Sequence, residues 1–190
     1  MLFGAGLAVT NIAVADLAAP LAGTMIPLLL PQTYIRYAAV THLQQPPAEN
    51  HKPGSLPPLF AGQFGWSEMA ATAARIDNSL PPDARVAPLS SARTTARPGA
   101  INLFGPRYGL PPALSGHQNY FLWGWRGYIG QSMIVMGDRQ ERLEAIFAPV
   151  RKTAHSDNPC SMPYEHMDIF YRQGLKEPLG KLWPQVKNWD

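Results

Sequence analysis

A chain of 190 residues has room for one ordinary domain and an appendage, and 46% hydrophobic residues permit a real core. Twenty prolines and sixteen glycines imply many turns and argue against long helices beyond the N-terminus. The net charge of +3 and pI near 9.1 are basic but dispersed, so no Lys/Arg stripe tracks a phosphate backbone and nucleic acid is not an expected partner; lone Cys160 excludes a disulfide framework.

From Met1 to Ile35 the only charged side chain is Asp16. The apolar stretch that closes at Leu28-Leu29-Leu30 is long enough to cross a bilayer, so residues 1–35 are expected to form one transmembrane helix. An acidic residue at mid-membrane costs roughly 2.5–3.5 kcal/mol, so Asp16 implies a partner in a larger helix bundle. Two other readings stay open. One is a signal peptide with small residues near Ala19–Gly23, against which no Lys or Arg precedes the apolar run. The other is a buried helix of a soluble fold.

Residues 36–62 read as a proline-rich linker. Gln44-Gln45-Pro46-Pro47, Lys52-Pro53-Gly54-Ser55 and Leu56-Pro57-Pro58-Leu59 oppose a helix or a central strand. His42 and His51 have no partner carboxylates at metal-ligand spacing.

The globular part, 63–190, opens with a helix capped by Ser67, with Glu68 at its positive end. Its apolar face is Met69, Ala70, Ala73, Ala74, Ile76 and Leu80, and Pro81-Pro82 stops it. Arg85–Leu89 is a short strand candidate. Residues 101–137 form a compact platform of glycines, prolines and aromatics ending in the strand Gln131–Met136, with buried-strand character from Tyr128 on. Asp138 caps a helix that turns Leu143, Ile146 and Phe147 inward. Val150–His155 and Met167–Arg172 are further strands, and Pro178 through Val186 is a short terminal helix. Alternating helices and strands predict a small two- or three-layer α/β domain with a mostly parallel sheet.

Within the platform, His117 is the most site-like residue, on a strand-end loop of the kind where α/β ligands bind. Asn119, Tyr120, Trp123 and Trp125 offer stacking and hydrogen bonds to a sugar or phosphate, and Arg107 and Arg126 flank them as candidate contacts to an anionic acceptor or lipid phosphate. The plainer reading is that His117 and Asn119 satisfy loop backbone groups while the aromatics fill the core and the arginines are solvated. No carboxylate beside His117 orients it for catalysis, Ser115 lacks a nucleophile-elbow frame, and the glycines of Gly124–Gly130 are not a phosphate loop, since no Gly-Lys-Ser/Thr follows. No catalytic residue, cofactor or metal is assigned. Glu165, His166 and Asp168 are closely spaced, but on a strand only His166 and Asp168 share a face.

Several motifs occur in an order that resembles one family. They are Gln63-Phe64-Gly65-Trp66, Leu80-Pro81-Pro82, Phe104-Gly105-Pro106-Arg107-Tyr108-Gly109-Leu110-Pro111-Pro112, Ser115-Gly116-His117-Gln118-Asn119-Tyr120, Trp123-Gly124 and Gly127-Tyr128. Pro159-Cys160-Ser161-Met162-Pro163-Tyr164-Glu165 and Leu179–Pro184 follow, and residues 27–37 are similar to the exit from a last membrane helix. Over about residues 15–190 the chain resembles the C-terminal part of bacterial dolichyl-phosphate-mannose–protein mannosyltransferase-like membrane glycosyltransferases (family 39). The resemblance implies transfer of a sugar from a polyprenyl-phosphate donor to a glycan or protein acceptor. It further implies a bilayer partner, a place in the inner membrane, and a soluble domain on the extracytoplasmic side. The family's catalytic carboxylates lie in an early membrane-domain loop that has no counterpart here, so this chain alone is expected to be inactive. A stand-alone membrane-anchored binding module is the alternative. Residues 88–99 depart from the pattern; Ser91–Gly99 can be back-translated so that a shifted reading frame gives Gly-Thr-Asn-Tyr-Gly-Glu-Ala-Gly, and a compensated frameshift is the expectation there.

Overall fold

The computed structural model describes residues 15–16, 29–43, 52–82, 89–90, 94–129, 132–147 and 150–189. The chain divides into two units, Met1–Gln63 with Pro159–Tyr164, and Phe64–Asn158 with Glu165–Asp190.

In the first unit, helix α1 (Pro31–Thr41) begins with proline at its first turn, where a missing N–H costs nothing, and ends at His42 in the left-handed region. Tyr34 and Ala38, four residues apart, share its buried face. The Tyr34 ring meets Phe60 edge-on, with centroids 5.4 Å apart. Phe60 belongs to α2 (Pro58–Ala61), a single turn whose prolines again stand where the helix needs no donor. Both helices correct the linker expectation, because proline ends helices from inside but starts them from the N-terminus. The expected transmembrane segment, apart from residues 15–16 and 29–35, lies outside the described residues. Among the described residues no helix is long and apolar enough to cross a membrane.

The second unit begins with α3 (Trp66–Ser79), entered through Gly65 in the left-handed region. Its buried face is Met69, Ala70, Ala73, Ala74 and Ile76, as the spacing predicts, together with Asp77; Leu80, expected on the same face, is the half-buried residue that follows the helix. Ser67 is not the cap: it sits inside the first turn, and its hydroxyl donates to the Glu68 carboxylate (3.0 Å). There follow β1 (Leu89–Ser90), α4 (Ala96–Phe104), a 3-10 turn Gly105–Tyr108, and α5 (Asn119–Leu122). Then come β2 (Ser132–Met136), α6 (Gln140–Ile146), β3 (Val150–Ser156), β4 (Met167–Gln173), α7 (Leu179–Leu182) and a 3-10 turn Trp183–Val186. Of the strand expected over Arg85–Leu89, only Leu89 falls within the described residues.

The fold is mixed α/β, but the sheet is not mostly parallel. Its order is β1-β2-β4-β3; β1 pairs parallel with β2, while β4 runs antiparallel to both β2 and β3. Helix α6 does make a crossover between two strands of the same direction, β2 and β3, which is what alternation predicts. The two are not neighbours, because β4 inserts between them. The described segment from β3 to β4 holds only a three-residue 3-10 turn, Pro163–Glu165, so the chain folds straight back as an antiparallel pair.

Strand pleating divides the core. Ile134 and Met136 of β2, with Ile169, pack against Met69, Ala73, Ile76 and Ile101 of α3 and α4. Met133 and Val135, with Phe170, pack on the other face with Leu143, Phe147, Leu179 and Trp183. Helices on both faces make three layers.

Candidate functional site

The platform is held from three sides. From α4, Asn102 donates its amide N–H to the Tyr120 hydroxyl (3.2 Å) and accepts from the Ala113 backbone N–H (2.8 Å). This single side chain ties α5 to the loop that follows the first 3-10 turn. From the C-terminus, the Asn188 backbone bridges this loop, accepting from the Gln118 N–H (2.9 Å) and donating to the Gly116 carbonyl (2.8 Å). The Val186 carbonyl lies where a Cβ at position 116 would sit, so only glycine fits there. Trp183 stacks on Phe121 with parallel rings 5.8 Å apart and donates its indole N–H to the Phe121 carbonyl (3.2 Å).

These anchors push the tip of the turn outward. Tyr120 and Trp123 pack with centroids 4.5 Å apart, and the Arg126 guanidinium lies 5.4 Å over the Trp123 ring. Trp123 is 52% exposed. Asn119, one residue before Tyr120 on α5, is exposed. Two non-glycine residues in the turn take positive φ, Gln118 at 46° and Arg126 at 52°, a conformation that costs of order 1–3 kcal/mol each and is held only by surrounding structure.

Of the residues the sequence singles out, Tyr120, Trp123 and Arg126 come together, with Asn119 on the same turn. His117 does not join them at the surface. It is 7% exposed, its N–H donates to the Ser115 hydroxyl (3.1 Å), and its carbonyl accepts from the Tyr120 N–H (3.2 Å). Arg107 has its own aromatic partners, lying 5.0 Å over Phe104 and 5.1 Å over Tyr108. Trp125 sets its ring edge-on to Trp183 at 6.4 Å.

Sequence reasoning passed over Asn102, which reads as one more polar residue in a helix. It also passed over a charge signal: between Asp83 and Asp138 the sequence holds no acidic residue but carries Arg85, Arg93, Arg97, Arg107 and Arg126. Arg97 lies in the stretch that departs from the family pattern and is buried. Its Nε donates to Glu165 at 3.3 Å, and its guanidinium occupies the space over Gly137, which takes φ 68°.

The acidic and imidazole groups of 165–168 have separate partners. Glu165 pairs with Arg97, His166 Nε2 meets the Asn158 carbonyl at 3.0 Å, and Asp168 contacts Lys152 Nζ (2.7 Å) and His155 Nδ1 (2.6 Å). His166 also precedes β4, so strand alternation does not place it with Asp168. Hydrogen bonds from Lys152 and then His155 hold the Asp168 carboxyl below its ordinary value. Among the described residues no group of three His, Cys, Asp or Glu could hold a metal ion.

Comparison with protein-family models, with curated proteins and with solved structures finds no match to this chain.

Proposed function

We propose that this chain is the C-terminal part of a membrane glycosyltransferase that uses a polyprenyl-phosphate sugar donor, and that the turn Gln118–Arg126 binds the acceptor. The observation that carries the reading is Trp123, a side chain half exposed to solvent, with Tyr120 packed against its ring, Arg126 over it and Asn119 on the same turn. A flat aromatic ring bordered by hydrogen-bonding groups suits a pyranose ring, whose faces are apolar and whose rim is hydroxyl. Strained backbone at Gln118 and Arg126 accords with a turn kept for binding rather than for stability. The donor class and the membrane setting in this reading come from the resemblance carried by the ordered motifs from Gln63 to Pro184.

The reading has a direct test in the DNA upstream of codon 1. A continuous open frame encoding many apolar spans, with an acidic pair in its first outer loop, is expected; an in-frame stop with a ribosome site just before Met1 overturns the transferase. In the parent enzyme, Trp123→Ala should raise the acceptor KM by up to about tenfold and leave kcat unchanged, since a stacking face binds ground and transition states alike. A fall in kcat at constant KM would move Trp123 out of the acceptor role.

A further inference from the structure

A second site lies away from the platform, between the C-terminal half of α3 and the edge strand β3. It is a cleft of about 680 Å³, bordered by Arg75, Ile76 and Ser79 on the helix and by Arg151, Tyr171 and Gln173 on the sheet. The register explains why Arg151 and Tyr171 border it together. Arg151 pairs with Tyr171, and Tyr171 with Ile134, so all three side chains share the sheet face covered by α3. On the helix, Arg75 is steadied by a hydrogen bond from its guanidinium to the Thr72 hydroxyl (2.8 Å).

Among the described residues the charge at this cleft is not balanced. Lys152 and His155 also line it, but both are tied to Asp168. Arg75 and Arg151 have no carboxylate partner among the described residues, and none of the described lining residues is acidic. Beside them the Tyr171 hydroxyl is buried and makes no hydrogen bond. Buried polar groups of folded proteins are satisfied in the great majority of cases, so an idle donor at a cationic cleft points to an absent acceptor.

We propose that this cleft binds a phosphate monoester. Two guanidinium groups without a carboxylate partner among the described residues match the charge of about −1.5 to −2 that a monoester carries, and a phosphate offers three oxygens to the two forks and the hydroxyl. A carboxylate has one charge and two oxygens, and leaves part of the set unused. The cleft is larger than the anion, and Ile76, Leu80 and Pro81 give an apolar wall for the organic part of the ester. The inference does not rest on the transferase reading, because none of these residues belongs to the platform.

The same chemistry is carried by a soluble sugar phosphate and by a lipid headgroup, and the test separates them. The full 190-residue chain is titrated calorimetrically with inorganic phosphate and glucose 6-phosphate. In parallel it is floated with phosphatidylcholine vesicles with and without phosphatidic acid. Saturable binding in at least one arm is expected, weakened about tenfold or more by Arg75→Gln and by Arg151→Gln, because each removes a charge-assisted fork. Both arginines are exposed, so near-ultraviolet circular dichroism should show the fold retained. Tyr171→Phe should weaken binding by a smaller factor. Arginine-dependent binding of the free esters assigns a soluble ligand; arginine-dependent flotation without it assigns a lipid headgroup. No binding in either arm, or binding that ignores both substitutions, overturns the proposal.

Discussion

Arg172 is a costly side chain of the second unit. It is fully buried on β4, its guanidinium lies 4.6 Å over Phe147 and 5.8 Å over Phe170, and its three nitrogens have no hydrogen-bond partner among the described residues. Burial pushes its pKa down to about 10, against the opposing pull of Asp138. A cation whose folded value lies below its unfolded value reduces stability at neutral pH, and that loss is recovered only as pH rises through about 10. The two ring faces return roughly 2 kcal/mol, while the desolvation penalty of a buried ion is several kcal/mol. Arg172→Met, which keeps the length and drops the charge, should therefore raise the urea-unfolding free energy by about 1–3 kcal/mol. A drop instead would show that the ring faces outweigh desolvation. The same contrast explains what the sequence disclosed of the candidate site. Glycine and proline spacing marked 101–137 as a platform, and Tyr120, Trp123 and Arg126 were nameable because an aromatic beside an arginine in a loop is chemically conspicuous. Which of the aromatics would open to solvent was not legible. That choice depends on Trp183 and Asn188, distant in sequence, which take Phe121 and the backbone around His117 inward and leave Trp123 out.

At the scale of elements, the edge strand β3 is both a liability and a tie. Edge strands offer unpaired backbone to other chains, and β3 counters this with exposed Arg151, Lys152 and His155 and an irregular register between Lys152 and Ala154. Asp168 on β4 fastens two of those residues across the pair. Its carboxyl is held below the ordinary 3.8 by the hydrogen bond from Lys152 first and then by that from His155. A carboxylate with a depressed folded value stabilises the fold above its unfolded value, and the contribution is lost as pH falls through the folded one. Acid unfolding below about pH 3.8 should accordingly be shallower in Asp168→Asn than in the parent, with the two converging at lower pH, as followed by far-ultraviolet circular dichroism. Identical acid limbs would mean that solvent screens the pair completely. Element types were largely readable, since the apolar periods of α3, α6, β2 and β4 are local properties. Strand direction was not. The spacing of helices and strands predicts crossovers, and α6 is one, but nothing in that spacing tells that β4 will slip between β2 and β3. That depends on which face of each strand is apolar: Phe170 and Ile169 of β4 complete the two cores that β2 begins, and β3, largely exposed, can serve only as an edge.

At the scale of the whole molecule, the chain passes between its two units more than once. After the first passage at Gln63, residues Pro159–Tyr164 return to the first unit before Glu165 resumes the second. This return carries Ser161 and Met162, both buried, with Met162 only 3% exposed. Beside it, the Pro163 ring stands 3.3 Å from where a Cβ on Gly54 would lie, so the two segments meet closely. A boundary drawn at Gln63 from composition alone therefore misplaces six residues, because proline and glycine content marks where a chain turns and not where it returns. The consequence is testable by placing a charge at position 162 in two contexts. In the full chain, Met162→Lys buries an unpaired ammonium and should lower the unfolding free energy by roughly 3 kcal/mol or more. In a chain of residues 64–190, which lacks the rest of the first unit, the same side chain has lost its surroundings and the substitution should cost less than about 0.5 kcal/mol, as for an ordinary surface change. Equal costs in both chains would place Met162 in the core of the second unit and remove the return passage from the description of the fold.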